Sequence, residues 1–254
     1  MKSQMGMYTP LLSVIIATKN SVECLPAALQ SVRVQEGCSV ECVVIDGCST
    51  DGTQDVISSN KDIVKKWVSE KDDGIASAFN KGLSLSSGAL VYFLGADDVL
   101  YDNRVLVDVV SHLQLLPRPH FIYGDIYYSY HHGRKLVHRN YQWEKFRKYS
   151  CIPHQAMFLD RWFFERYGGF DARYKYAMDY EHISRFIEEF QPQYLERIIA
   201  VMGRYGTSSD VLPVHAEMDK VRRARGYAGN VRVFLDNFVL RLKLAVARYS
   251  GANW

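Results

Sequence analysis

A chain of 254 residues with 48% hydrophobic and 23% charged residues can bury a sizeable core, which excludes a disordered or fibrous protein. The net charge is only +3 and its excess is local: from Lys220 onward eight Lys or Arg stand against one acid, a net +7 that leaves residues 1–219 at −4. A mildly acidic globular part excludes a nucleic-acid-binding core and points to a basic C-terminus meeting an anionic surface.

The N-terminal M-K-S-Q-M-G-M-Y-T-P has no apolar stretch of signal-peptide length, and no run is long enough to span a bilayer. Five cysteines (Cys24, Cys38, Cys42, Cys48 and Cys151), odd in number and without a Cys-x-x-Cys pair, read as reduced thiols of a cytoplasmic protein. Leu12 to Ala17 is an apolar, β-branched strand that ends in Thr18-Lys19-Asn20. A helix follows, with Pro26 in its first turn and Leu25, Ala28, Leu29 and Val32 on one face. Val40 to Ile45 is the second strand, closed by Asp46-Gly47, and Cys48 to Thr53 is turn chemistry leading into a helix. Lys66 to Ser69 is a short third strand, and Ile75, Ala78, Phe79, Gly82 and Leu83 make a helical stripe. Ala89 to Leu94 is six apolar residues in a row, the pattern of a strand buried on both faces; it stops at Gly95-Ala96, and Asp97-Asp98 follow at once. Such alternation predicts an α/β, Rossmann-like, mostly parallel sheet with helices on both faces.

Acids stand at the ends of three consecutive strands: Asp46, then Glu70, Asp72 and Asp73, then Asp97 and Asp98. Acids converging on one sheet edge are a poor arrangement for stability alone. The arrangement suits a ligand rich in donors, with a hard divalent cation between adjacent carboxylates. No G-x-G-x-x-G follows the first strand and no P-loop signature occurs, so the common dinucleotide and NTPase folds lose their support.

Four segments in order, L-S-V-I-I-A-T-K-N (12–20), V-V-I-D-G-C-S-T-D-G-T (43–53), S-E-K-D-D-G-I-A-S-A-F-N-K-G (69–82) and F-L-G-A-D-D-V-L (93–100), resemble the inverting family 2 glycosyltransferases of GT-A fold. The likeness is greatest to the branch that builds bacterial surface polysaccharides, colanic-acid-type enzymes included. P-H-Q-A-M-F (153–158), R-Y-G-G-F-D (166–171) and A-M-D-Y-E (177–181) resemble the family's acceptor-side segments. The resemblance implies a GT-A domain over 1–218, with a nucleotide-sugar-binding half (1–102) and an acceptor-binding half (103–218), followed by a basic helical tail over 219–254.

It also implies roles. Thr18, Asn20, Asp46, Asp72, Asn80, Lys81 and Asp97 would contact the nucleotide sugar, with Asp46 on the base, Asp72 on the uridine-like part and Asp97 on the ribose. Asp98 would ligate Mg²⁺ or Mn²⁺ bridging the diphosphate. His154, Gln155 and Arg204 would face the acceptor or the diphosphate. Asp179, at the start of a helix whose Ile183, Phe186, Ile187 and Phe190 point inward, would be the general base that deprotonates the acceptor hydroxyl, with Glu181 as understudy. A carboxylate there also serves as a helix cap, and S-T-D-G-T around Asp51 is good N-cap chemistry by itself. Trp162, Phe163 and Phe164 read as core.

The donor so implied is a nucleoside-diphosphate sugar, a UDP-sugar by preference. The acceptor is a glycan, lipid-linked at the inner face of the cytoplasmic membrane. In the tail, Val231, Phe234, Leu235, Phe238, Leu242, Ala245 and Tyr249 share one helical face and Arg232, Arg241, Lys243 and Arg248 lie off it. That is the pattern of a membrane-surface helix over 220–250, with docking on the domain or on a second subunit as the alternative. Two other functions compete: a nucleotidyltransferase, which lacks its Gly-rich basic loop in T-K-N-S-V-E, and a non-catalytic sugar-binding module, against which the retained acids and base count.

Overall fold

The computed structural model describes residues 12–130, 133–138, 140–203 and 211–250, with side chains as far as Leu242. Strands β1 (Leu12–Thr18), β2 (Val40–Asp46), β3 (Val64–Ser69) and β4 (Leu90–Gly95) alternate with helices α1 (Leu25–Arg33), α2 (Thr53–Ser59) and α3 (Ile75–Leu85). The four strands are parallel in the order β3-β2-β1-β4. The register sets Thr18 beside Asp46 and Ala17 beside Gly95, so the C-terminal ends of β1, β2 and β4 lie level.

Side-chain alternation explains the two covered faces. Val14 and Ile16 of β1 pack with Leu25, Ala28, Leu29 and Val32 of α1, and with α4 (Val105–Leu113). Ile15, Val91 and Phe93 point the other way, onto Ala76, Phe79 and Leu83 of α3. Both sides of β4 are thus dry, as its unbroken apolar run requires. The expectation of a layered α/β sheet with helices on both faces holds, and the third strand starts two residues earlier than its sequence suggested.

The second half reverses direction. Strand β8 (Met157–Asp160) runs antiparallel to β4, β6 (Phe121–Tyr130) antiparallel to β8, and β9 (Gln193–Met202) parallel to β6. The two-residue β5 (Val99–Leu100) pairs antiparallel with β9 at the far edge, and β7 (Gly133–Val137) forms a hairpin with β6. The β5–β9 pairing draws the end of β9 over the Asp97-Asp98 turn. The one-turn α5 (Trp143–Phe146), a 3₁₀ turn at His154–Ala156, α6 (Arg161–Tyr167) and α7 (Met178–Ser184) fill one face with an aromatic cluster containing Phe146, Phe163, Tyr180 and Phe186. Phe163 and Phe164 are core as expected, and Ile183, Phe186 and Ile187 are buried although α7 ends at Ser184.

Helices α8 (Val211–Ala224) and α9 (Asn230–Ser250) close the chain. The tail boundary expected at 218/219 falls inside α8, which packs on the domain through buried Glu217, Asp219, Val221 and Arg222.

Candidate active site

A cleft of about 990 Å³ runs over the C-terminal ends of β1 and β4, lined by Thr18, Asn20, Asp72, Ile75, Asp97 and Lys175. A second cavity of about 270 Å³ adjoins it and holds Asp98, His154, Gln155, Met178, Asp179 and Gly203. The two meet at Ile75, Gly95, Asp97 and Lys175. The sheet edge where acids were expected to converge is therefore a continuous two-chambered site, at the strand ends where open α/β sheets bind ligands.

Two atoms on its floor are unsatisfied. The hydroxyl of Thr18 and Oδ2 of Asp97 are buried without a hydrogen-bond partner. Buried polar atoms are ordinarily paired, so two orphans in one cleft mark it as built for a polar ligand. Asp98 lies beneath, 2% exposed, accepting hydrogen bonds from the Gly95 N–H (3.2 Å) and the Gly203 N–H (2.8 Å). Burial, then the neighbouring charge of Asp97, pushes its carboxyl up to about 6, against the lowering effect of the Gly203, Gln155 and Gly95 donors. Gly203 has no room for a side chain, since a Cβ there would collide with Asp97.

The loops after β1 and β2 are stitched together. Asn20 and Cys48 both adopt left-handed φ, 48° and 58°. Asn20 N–H donates to Ser49 Oγ (2.7 Å), and Asn20 Oδ1 accepts from Thr50 N–H (3.0 Å). Asp51 accepts from Val22 N–H (3.0 Å), Thr53 N–H (3.0 Å) and the Thr53 hydroxyl (2.6 Å), which is the turn-and-cap role its sequence favoured.

On the far side, Asp179 sits in the first turn of α7 and lines the smaller cavity. Burial raises its carboxyl to about 6, opposed by the Tyr180 N–H (2.7 Å). Glu181 points elsewhere: Arg185 holds both its oxygens and Arg225 stands 3.7 Å away, which removes it as understudy. His154 lies among Phe79, Phe93 and Phe170, and burial lowers its pKa to about 4, so it stays neutral at the cavity wall.

Several expected contacts fall elsewhere. Asp46 is fully buried and lines neither chamber; its carboxylate accepts from the Ser49 hydroxyl, Ser49 N–H (3.0 Å) and the Ser69 hydroxyl (2.6 Å). In this arrangement Asp46 supports the loop that walls the cleft. Asn80 is also spent: its amide donates to Phe170 O (2.8 Å) and accepts from Phe170 N–H (2.8 Å), clamping the R-Y-G-G-F-D turn onto α3. Lys81 pairs with Glu70 at 2.9 Å, outside both chambers. Arg204 lies outside the described residues. Thr18, Asn20, Asp72, Asp97, Asp98, His154, Gln155 and Asp179 are brought together.

Two positions that shape the cavities carry no sequence signal. Lys175 places a cation where the chambers meet, but a single Lys in a loop matches no motif. Glu217 of α8 accepts three consecutive backbone N–H groups, from Lys175 (2.9 Å), Tyr176 (2.7 Å) and Ala177 (2.9 Å). It thereby holds the segment that carries both Lys175 and Asp179.

The chain matches the Glycosyl transferase family 2 description over residues 13–166, more than half its length. It belongs to that family. Within it, the chain is similar to the PGL/p-HBAD biosynthesis glycosyltransferase of Mycobacterium bovis (strain BCG / Pasteur 1173P2), 28% identical over 222 residues that span 81% of this chain and 82% of that protein. It is also 27% identical over 205 residues to the uncharacterized glycosyltransferase Rv1514c of Mycobacterium tuberculosis, covering 79% of this chain and 78% of the relative. Among solved structures, Staphylococcus aureus TarS 1-349 in complex with UDP-GlcNAc superposes with a TM-score of 0.68 at 16% identity, over 86% of this chain and 67% of that one. The full-length TarS chain is matched over 38% of its length. Mannosyltransferase PcManGT from Pyrobaculum calidifontis, in complex with GDP-Man and Mn²⁺, gives 0.61 at 18% identity over 97% and 83%. At such identities the structural likeness establishes the GT-A fold, and the family match establishes a glycosyltransferase.

Proposed function

We propose that this glycosyltransferase moves a sugar from a nucleoside-diphosphate donor to a hydroxyl of a glycan acceptor, with inversion at the anomeric carbon. The observation that carries the reading is the pair of chambers meeting at Asp97, one with orphaned polar atoms on its floor and the other with a half-buried carboxyl, Asp179, in its wall. The donor lies in the larger chamber. Thr18 and Asp97 offer the unpaired groups that ribose or phosphate oxygens would satisfy, and Lys175 faces the charge that builds on the departing diphosphate. The acceptor hydroxyl enters the smaller chamber. Asp179 takes its proton as the oxygen attacks the anomeric carbon, while the bond from that carbon to the diphosphate oxygen breaks on the opposite side.

The Asp97-Asp98 pair fits a hard divalent cation such as Mg²⁺ or Mn²⁺: both donors are carboxylates and one oxygen is buried and unpaired. Among the described residues no group of three or more His, Cys, Asp or Glu forms a complete cage, so substrate phosphates and water would complete the shell. When bound, the ion supplies Lewis-acid stabilisation of the leaving diphosphate. The likeness to a UDP-GlcNAc-bound structure supports a UDP-sugar donor, and the mycobacterial relative named for PGL biosynthesis supports a lipid-linked acceptor of the surface-glycan kind.

Donor hydrolysis or transfer measured with the purified chain tests this. Wild type should turn over donor, while Asp98→Ala and Asp179→Asn should each lose about 100-fold or more in kcat. Full activity in both variants would remove the assignment.

A further inference from the structure

Helix α9 is amphipathic in the inverted sense. Its polar residues face the protein: Asp236 pairs with Arg222 of α8 at 2.6 Å, Asn237 donates to Asp219 at 2.7 Å, and Arg222 closes the network onto Asp219 at 2.8 Å. Val233 is the buried apolar contact of that inner face. The large apolar residues point to solvent: Val231 is 75% exposed, Phe234 69%, Phe238 61%, and Leu235, Val239 and Leu242 are exposed as well. At 3.6 residues per turn these six cover an arc of about 140°, with Arg232 and Arg241 at its two edges. Lys243 and Arg248 follow in the sequence of the same helix. Asp236, the acid of α9, is neutralised by Arg222 and by Arg232 at 3.1 Å.

A helix held by a buried ion-pair network cannot roll to hide its apolar side, so this ridge is presented outward by construction. We infer that α9 is a docking surface for an anionic lipid bilayer, lying in the plane of the interface with Phe234 and Phe238 inserted and the flanking arginines on headgroup phosphates. Charge decides the occupant. A second copy meeting this face across a two-fold axis would set the Arg232 and Arg241 edges of one helix against those of the other. A bilayer bearing negative charge meets both edges favourably. Among the described residues no helix is long and apolar enough to cross a membrane, so the contact is at the surface.

One consequence rests on the glycosyltransferase reading. Val214 and Met218 of α8 line the chamber that holds Asp179, and the same helix grips α9 through Asp219 and Arg222. Docking α9 would therefore tether the helix that lines the acceptor chamber to the lipid surface, where a membrane-anchored glycan resides.

Vesicle flotation of the full chain tests the surface itself, independently of catalysis. Binding is expected to phosphatidylcholine vesicles that contain phosphatidylglycerol and to be weak with phosphatidylcholine alone. Phe234→Glu/Phe238→Glu should abolish it, and Arg241→Gln should weaken it about fivefold. These positions are exposed and outside both chambers, so circular dichroism and donor hydrolysis in solution should be unchanged. Absence of binding to the anionic vesicles would overturn the inference, as would a dimer that Phe238→Glu converts to monomer while leaving flotation unaltered. Vesicle binding without any donor turnover would keep the docking surface and remove only the acceptor consequence.

Discussion

The proposed proton transfer rests on one carboxyl, that of Asp179. Its folded-state pKa of about 6 lies above the ordinary 3.8 because burial disfavours the charged form. A base must be deprotonated to act, so kcat/KM should rise with pH through a midpoint near 6. That ascending limb should vanish in Asp179→Asn. The same shift has a stability sign. Below 3.8 the carboxyl is protonated folded and unfolded and contributes nothing; between 3.8 and about 6 the unfolded chain ionises first, so the buried group costs progressively more. Asp179→Asn should therefore be more stable than wild type by about 1–2 kcal/mol at pH 8, the difference fading below pH 4, as read by denaturant titration. A helix cap would behave in the opposite way, losing stability on substitution at pH 8. Asp98 belongs to the same chemistry from below the cleft: Asp98→Asn should weaken nucleoside-diphosphate binding in Mn²⁺ by about tenfold or more, with little change in chelator.

Elements decide whether those residues meet. The loop from Lys175 to Ala177 has no regular structure, and Glu217 fixes it by three hydrogen bonds from a helix about forty residues further on. Glu217→Ala should leave three N–H groups without their acceptor, cost about 2–3 kcal/mol in denaturation, and lower kcat more than it alters KM. Glu217→Gln keeps a carbonyl acceptor and should recover part of both. The R-Y-G-G-F-D turn is held similarly. A Cβ at Gly169 would collide with the Asn80 amide that grips Phe170, so Gly169→Ala should loosen that clamp and lower the melting temperature.

Much of this was readable in the chain. Ala89 to Leu94 announced a strand dry on both faces, and the Asp97-Asp98 pair two residues beyond it lines the cavities found at the strand ends. Burial periodicity set α1 and α3 on opposite faces of the sheet. Asp46 shows where local pattern stops: D-G-C-S looks the same whether the carboxylate faces a ligand or the Ser49 and Ser69 hydroxyls, and only the β2–β3 pairing brings Ser69 within reach. Asn80 lies on α3 beside the apolar stripe, yet its amide is consumed ninety residues away. Lys175 and Glu217 depend on a long-range contact that no motif records.

Across the whole molecule, charge and topology divide the labour. Strand ends of the parallel half wall the larger chamber, and the second half of the chain with α7 walls the smaller one. The basic excess lies in the two C-terminal helices. The central claim is that a nucleoside diphosphate binds at the strand ends with a cation on Asp97 and Asp98. The most direct measurement is calorimetric titration of the purified chain with UDP, GDP and dTDP, each in Mn²⁺ and in chelator. One nucleotide, UDP first, should bind, and its binding should be lost in chelator and in Asp98→Ala. Binding that persists unchanged in chelator and in that variant, or no binding by any of the three, would contradict it.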